Sequence, residues 1–453
     1  MKRIFWTQLL LMCMACFSSG PTFAGVFNPK TFTLDNGLTV VVVENHRAPV
    51  VAQFVWYKIG SADDPDHARG VAHYLEHLMF KGPEGSLSRE IPNILDRLGG
   101  MYNASTSADY TNYYEVVASD KIETIMKIEA ERMKSLVIQN DEALRELDVI
   151  LEERKMRIDA NPLGRFIETI HAVWFWNHPY GRSGIGWESE IKSLTPQKAR
   201  NFYQNWYGPN NAILIYTGDV DFEDIKKKVK HYFGDIPERA IAKRIRSVEP
   251  SHHGASQTIV MQSEHIAQPY YMEVRSIPRF VAQKKESYAT EVLAYLLADG
   301  PTSYLYQQLI DKERVASFIK FDTPYLYALD PSFGALIAQP AEGVSMKIFE
   351  KKLQQALEKK QKIGFTKDEV EKAKHRLLAS LVYLRDNNLG GAHELGTALI
   401  IGLGLDEIEA WPERIKSVTT EEVNQVFKNI FFNEERLVGY LLPEQKSAAH
   451  DKH

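Results

Sequence analysis

Cysteine is nearly absent from this chain: its 453 residues include two, Cys13 and Cys16. Both lie close to the N-terminus, so a chain shortened there would carry no disulfide and no thiolate metal ligand. Long apolar runs are equally scarce. One extends from Ile4 to Phe17 behind Lys2 and Arg3, and no later segment is long and apolar enough to span a bilayer as a helix. Ser18-Ser19-Gly20 and then Thr22-Phe23-Ala24 follow that run, which completes the order of a secretory leader: basic, apolar, small-residue cleavage site. The expectation is a signal peptide over residues 1–24, cleaved near Ala24, and a periplasmic or secreted mature chain. A retained membrane anchor and lipidation at Cys16 are the alternatives. A positive charge excess is missing as well. With 54 Lys+Arg against 59 Asp+Glu and a formal net charge of −5, there is no basic stripe to suit a nucleic acid. The remainder is 25% charged and 44% apolar, an ordinary globular composition that bounds the class without naming a function.

What the chain does have is a repeat. Ser193-Leu194-Thr195 opens a segment that runs to an apolar strand at 212–216. Ser417-Val418-Thr419 opens a matching one that ends in a strand at 437–441, offset by 224 residues without a gap. Each predicts a Thr-capped helix, with Pro196 at the first helical position in one copy and Glu422 completing a capping box in the other. An offset of half the mature length predicts a duplicated unit; two unrelated helix–strand endings would look alike too. The boundary is placed in 241–256, inside a Pro/Ser/His/Gly-containing stretch without periodicity. The expected domains are 25–240, then 257–445, with a tail at 446–453. Within the halves, hairpin signals such as Asp35-Asn36-Gly37 and strands at 50–59, 101–106 and 110–117 alternate with helical stretches at 119–137 and 140–159. This predicts an α+β fold of two homologous halves, each a mainly antiparallel sheet with helices packed on one face.

Chemistry is concentrated in His73-Tyr74-Leu75-Glu76-His77. Two histidines four apart on a helix stack on one face and can reach a single metal ion, with a carboxylate beside them placed to take a proton from water. A helix with two merely satisfied histidines is the plainer alternative. A third ligand has to come from elsewhere, and the candidate helix is 145–154. Glu146 and Glu153, seven apart, share one face there, while Glu152 is turned away. An ordinary solvated charged helix accounts for that run equally well.

Several pieces together resemble the pitrilysin family of zinc peptidases, and within it the short bacterial relatives of the mitochondrial processing peptidase. These are Asp35-Asn36-Gly37-Leu38, the 70–82 segment with its inverted motif, Gly99-Gly100-Met101-Tyr102-Asn103-Ala104, the 146–153 helix, His178-Pro179-Tyr180-Gly181 and Tyr207-Gly208-Pro209-Asn210-Asn211-Ala212. The resemblance implies one Zn2+ per chain held by His73, His77 and Glu153. It makes Glu76 the general base and gives Glu146 a supporting role next to the ligands. It also implies a metalloendopeptidase acting on peptides or unfolded polypeptides, with Asn103 and Ala104 on a strand that pairs with extended substrate; the leader makes the expected enzyme an exported one.

One departure stands out. Where family members often carry an Arg and a Tyr seven residues apart in the second half, this chain has Ile310 and Ser317, with Arg314 and Phe318 nearby. The expectation is a homologous zinc-less partner that supplies the pair, giving a heterodimer. A homodimer or monomer that works without the pair is the alternative, and a non-catalytic zinc-binding or scaffold subunit of a peptidase-like complex is a further one. The stretch near Leu297 to Pro301, where the 224-residue offset places the counterpart of the motif, contains no histidine.

Overall fold

The Asp35-Asn36-Gly37 turn sets the entry into the first sheet. Gly37 takes φ 80°, which favours glycine, and Leu34 and Leu38 close the turn by a backbone hydrogen bond of 3.0 Å. In the computed structural model, which describes residues 25–250, 256–324 and 326–444, six strands form this sheet. They are β1 (Lys30–Thr33), β2 (Thr39–Glu44), β3 (Val50–Tyr57), β4 (Met101–Thr106), β5 (Thr111–Ala118) and β6 (Ala212–Gly218). The second sheet has five: β7 (Ser256–Ser263), β8 (Tyr270–Ile277), β9 (Ala316–Asp322), β10 (Ser332–Pro340) and β11 (Arg436–Pro443). The leader, with Cys16, and the expected tail lie outside the described residues. Among the described residues no helix is long and apolar enough to cross a membrane.

The spatial orders are β1-β2-β6-β3-β5-β4 and β7-β11-β8-β10-β9. Removing β1 makes them the same sheet twice. β2 with β6 and β7 with β11 are the parallel pairs, and every other pairing is antiparallel. The duplication is therefore complete in topology. Counterpart strands start between 215 residues apart (Met101 and Ala316) and 224 apart (Ala212 and Arg436), because the loops differ in length.

The helices of the first half are α1 (Val71–Leu78), α2 (Leu87–Leu98), α3 (Ile122–Ser135), α4 (Asn140–Arg154), α5 (Pro162–Trp174), α6 (Glu188–Lys192), α7 (Pro196–Trp206) and α8 (Phe222–Phe233). Those of the second are α9 (Lys284–Ala298), α10 (Met346–Ile363), α11 (Lys367–Asp386), α12 (Asn388–Ile400), α13 (Leu405–Glu409), α14 (Trp411–Ser417) and α15 (Thr420–Phe431). The repeated caps form: the Thr195 hydroxyl accepts from Lys198 N–H, and Thr419 makes the full capping box with Glu422. The helix α9 follows β8 and packs on α15 as α1 follows β3 and packs on α7, so α9 is the counterpart of the motif helix. It starts thirteen residues before Leu297, because the 224-residue offset holds only at the C-terminal end of the repeat. It contains no histidine.

Each sheet has its own helices on one face, as expected. The other face is covered by a helix from the opposite half, which the sequence did not reveal. β3 alternates: Val51, Val55 and Tyr57 join the core under the first half's helices, whereas Ala52, Phe54 and Trp56 pack with Ala392 and Leu395 of α12. Conversely, Phe166 and Ile170 of α5 pack on Met272, Val274, Leu437 and Leu441 of the second sheet. Two glycines permit the close approach. A Cβ at Gly396 of α12 would lie 2.0 Å from the Trp56 ring, and one at Gly439 of β11 would lie 2.6 Å from Phe166 and Ile170. Trp56 is fully buried and cannot yield. Gly396→Ala should therefore destabilise the chain by about 1–3 kcal/mol through overpacking, despite a helix-propensity gain of about 1 kcal/mol. Denaturant unfolding checks the sign.

The segment between the halves also fastens them. Arg246 binds Asp63 at 2.7 and 2.8 Å and Asp109 at 2.5 Å in the first half, and Asp330 at 2.7 Å in the second. Asp109 sits at the tip of the β4–β5 hairpin and Asp63 in the connection from β3 to α1, so the staple bears on the segment that leads to the motif helix and on the strand packed beside it.

Candidate metal centre

The motif helix is anchored at its start. Gly70 has φ 83°, and a Cβ there would meet the Ile185 carbonyl oxygen at 2.8 Å. The buried Asp64 carboxylate accepts from Gly70 N–H at 2.7 Å and Ala72 N–H at 3.0 Å, a charge complementary to the helix N-terminus. Burial nevertheless raises its pKa to about 8. Val71, Ala72, Tyr74, Leu75 and Leu78 turn into the core, and the Tyr74 hydroxyl donates to Ala143 O of α4 at 2.6 Å. With α1 packed on α4 in this way, the polar faces of the two helices are brought opposite each other.

The structure places His73, His77 and Glu153 within one cluster whose ligand-capable atoms lie within 4.8 Å of one another. Glu153 Oε2 is 3.2 Å from His77 Nε2 and 3.6 Å from His73 Nε2. That oxygen is buried without a hydrogen-bond partner in good geometry, and its other oxygen pairs with Arg157 at 2.9 Å. Glu146 behaves as a supporting acid: its Oε1 accepts from His77 Nδ1 at 2.9 Å, and Lys81 Nζ binds its Oε2 at 2.8 Å. This bond directs the Nε2 lone pair of His77 at the cluster. Two imidazoles, one carboxylate with an orphaned oxygen and a carboxylate-held histidine suit a divalent cation with nitrogen and oxygen ligands.

The electrostatics are divided among the same residues. Burial and the neighbouring His77 lower the His73 pKa. Burial opposes charge on His77 too, but its bond to Glu146 and the Glu153 carboxylate beside it prevail and raise it to about 9. The adjacent His77 lowers Glu153, and burial raises Glu76. Glu146→Gln weakens the orientation of His77 and should cost about 10–100-fold in zinc affinity, read by competition with a chromogenic chelator.

Glu76 lies beside the cluster, where its Oε2 accepts a hydrogen bond from Thr106 Oγ1 at the end of β4. Thr106 carries no signal in the sequence; its role depends on where a strand thirty residues away is folded. Nor did it show Lys81 or Arg157 as carboxylate partners. The helix expected over 140–159 ends as α-helix at Arg154 and continues through a π-turn, Lys155–Asp159, closed by Ala160 N–H to Lys155 O at 2.8 Å. A π-turn directly after Glu153 places Arg157 back over that carboxylate.

β4 is the outer strand of its sheet. Ser107 N–H bonds Tyr110 O at 2.8 Å, and the register Thr106↔Thr111 through Met101↔Val116 continues from there. By antiparallel alternation, the backbone groups of Ser105, Asn103 and Met101 face β5, and those of Thr106, Ala104 and Tyr102 face the free edge. At that edge the Ala104 N–H is met by the Asn103 side chain, Oδ1 accepting at 2.8 Å. A cleft of about 820 Å³ opens here, lined among others by His73, Glu76, His77, Asn103, Ala104 and Glu153. Ile310 lies in a second π-turn, Tyr306–Lys312, half-buried on the second core. The Ser317 hydroxyl, on β9, donates to the carbonyls of Gln339 and Pro340 at 3.4 and 3.3 Å.

A duplicated α+β unit carrying an inverted two-histidine helix in one copy defines a metallopeptidase class. The family models agree: residues 39–186 match the insulinase, peptidase family M16, model, and residues 193–377 match the peptidase M16 inactive domain. The zinc protease PqqE of Helicobacter pylori is 32% identical over 353 residues, covering 76% of this chain and 77% of that protein. A probable mitochondrial-processing peptidase subunit beta of Arabidopsis thaliana is 29% identical over 204 residues, covering 45% of this chain and 38% of that one. The crystal structure of a protease from Helicobacter pylori superposes with a TM-score of 0.84 at 27% identity, covering 92% of this chain and 99% of that chain. The chain belongs to peptidase family M16.

Proposed function

We propose that the chain is an exported zinc metalloendopeptidase that cleaves peptides or unfolded polypeptides. The observation that carries this reading is the juxtaposition of the His73–His77–Glu153 cluster, the adjacent Glu76 and the free edge of β4 along one cleft. His73 and His77 through Nε2 and Glu153 through Oε2 would hold the ion. Bound there, zinc supplies Lewis acidity to the attacking water and the scissile carbonyl. Ala104 and Tyr102 offer backbone N–H and C=O groups to an extended substrate, which aligns it without reading much of its sequence. Asn103 releases the Ala104 N–H as the substrate carbonyl arrives. Glu76, held by Thr106, takes the proton of the water and returns it to the leaving amine.

Among the described residues the second half contributes no metal ligand, and Ile310 and Ser317 offer neither a cation nor a phenol to substrate. We therefore place a homologous zinc-less subunit opposite this chain as the source of that pair. The test is made on the mature chain alone, with metal content and peptide cleavage read together. The expected results are one zinc per chain, cleavage abolished by dialysis against a chelator and restored by Zn2+, and weak turnover that rises with the partner. Undiminished cleavage after metal removal would overturn the peptidase reading. A chain that binds no zinc would instead be a scaffold subunit, and full activity alone would remove the partner.

A further inference from the structure

The second half has a cavity of its own, on the helix that corresponds to the motif helix. Tyr288, Glu291 and Tyr295 recur at helical spacing on one face of α9 and line a space of about 210 Å³ between α9, α11 and α12. Phe27, Phe280, Tyr327 and Trp411 complete an aromatic wall. The wall is rigid: the Phe280 ring meets Tyr288 edge-on at 4.8 Å and Tyr327 at 4.5 Å.

The Glu291 carboxylate faces this ring of π systems. Its Oε1 accepts from the Tyr327 hydroxyl and its Oε2 from Trp411 Nε1, each at 2.8 Å. These two neutral donors orient the carboxylate without neutralising it. No Lys or Arg among the described residues pairs with it. Glu407, on the same wall, provides the contrast. It has Lys284 at 3.3 Å and Arg414 at 3.4 Å in addition to the Tyr288 hydroxyl at 2.7 Å. A buried carboxylate without a counter-ion is costly, and burial raises the Glu291 pKa to about 7. Electron-rich ring faces around a fixed carboxylate form the arrangement that receives organic cations. Size sets the class, since a dry cavity of about 150 Å³ already holds benzene.

We propose that this cavity is a receptor for a primary alkylammonium group, with Glu291 as its counter-ion and Tyr288, Tyr295 and Trp411 as its walls. A free diamine and the side chain of a peptide lysine share that chemistry. The cavity owes nothing to the metal centre, so its test stands apart from the peptidase reading.

The test is calorimetric titration of the mature chain with cadaverine, 1-pentanol and Nα-acetyl-lysine methylamide, with and without a chelator. Cadaverine is expected to bind saturably at one site, about tenfold or more tighter than the neutral alcohol, and equally well after chelation. Parity between cadaverine and the lysine derivative would assign a peptide lysine as source; preference for cadaverine would assign the free amine. Glu291→Gln, which removes the charge while its amide oxygen still accepts from Trp411 Nε1 and its amide nitrogen donates to a turned Tyr327 hydroxyl, should lose the binding and keep cleavage unchanged. Tyr295→Leu is the second variant and should weaken binding without removing the charge. Absence of saturable heat, pentanol binding as tightly as cadaverine, binding lost on chelation, or binding retained in Glu291→Gln would each overturn the proposal.

Discussion

Glu76→Gln is expected to keep one zinc per chain and to lower kcat by about 10²–10⁴-fold, the contribution of a positioned general base. At 1.36 kcal/mol per decade, this is about 3–5.5 kcal/mol of transition-state stabilisation. The amide still accepts the Thr106 hydrogen bond, so the site geometry should persist, and KM for a peptide should change little. The assignment rests on two separable observations. Glu76 lies beside the metal cluster but outside its ligand set, and the strand that fixes it also forms the free edge of the cleft. Single-turnover cleavage together with metal content decides it. A variant that stays within tenfold of the native rate would place the base elsewhere, and one that loses zinc would make Glu76 a ligand.

The largest stability effect is expected away from the cleft. Arg132 of α3 is fully buried, as are its partners Glu115 of β5 and Glu129 of α3. Gln53 Nε2 donates to Glu115 at 3.2 Å. The guanidinium also lies over Tyr113 at 4.7 Å and Phe80 at 5.1 Å, which accounts for Nε and Nη1 having no hydrogen-bond acceptor. Removing the one cation strands two carboxylates, so Arg132→Met should cost about 3–5 kcal/mol, whereas replacing all three by apolar residues should recover most of it. The loss is pH-dependent. Burial raises the Glu115 pKa to about 7 even with Arg132 beside it. An acid raised on folding contributes stability that is present below its unfolded pKa and lost as pH rises through the folded one. Without the arginine it rises further; both proteins lose this contribution alike up to about pH 7, so the deficit of Arg132→Met should start to grow near pH 7 and be larger at pH 9 than at pH 5. Denaturant titrations at both pH values measure it.

Much of the site was legible because its signals are local. His73 and His77 share a helix face by spacing alone, as do Glu146 and Glu153, and the structure brings the two faces together. The 224-residue offset identified two Thr caps and two strands that occupy equivalent places in their sheets. The contributions of Thr106, Lys81 and Arg157 could not be seen in this way, because each depends on packing between elements distant in sequence. Arg246 sits in a stretch that reads as an unpatterned linker; its three carboxylate partners come from three separate loops. The covering of each sheet by a helix of the other half was hidden for a related reason. A strand buried on both faces reads as a continuous apolar run, as β6 does from Ala212 to Tyr216, and such a run does not say who supplies the second cover.

That exchange of covers has a consequence for how the chain is made. A ribosome delivers the first half's strands and helices long before α12, yet Val41, Phe54, Trp56 and Ile215 stay open to water until residues 388–400 arrive. The first half thus waits, sticky and incomplete, for a piece synthesised some two hundred residues later. A polypeptide with that schedule stays short of its final form until almost all of it exists.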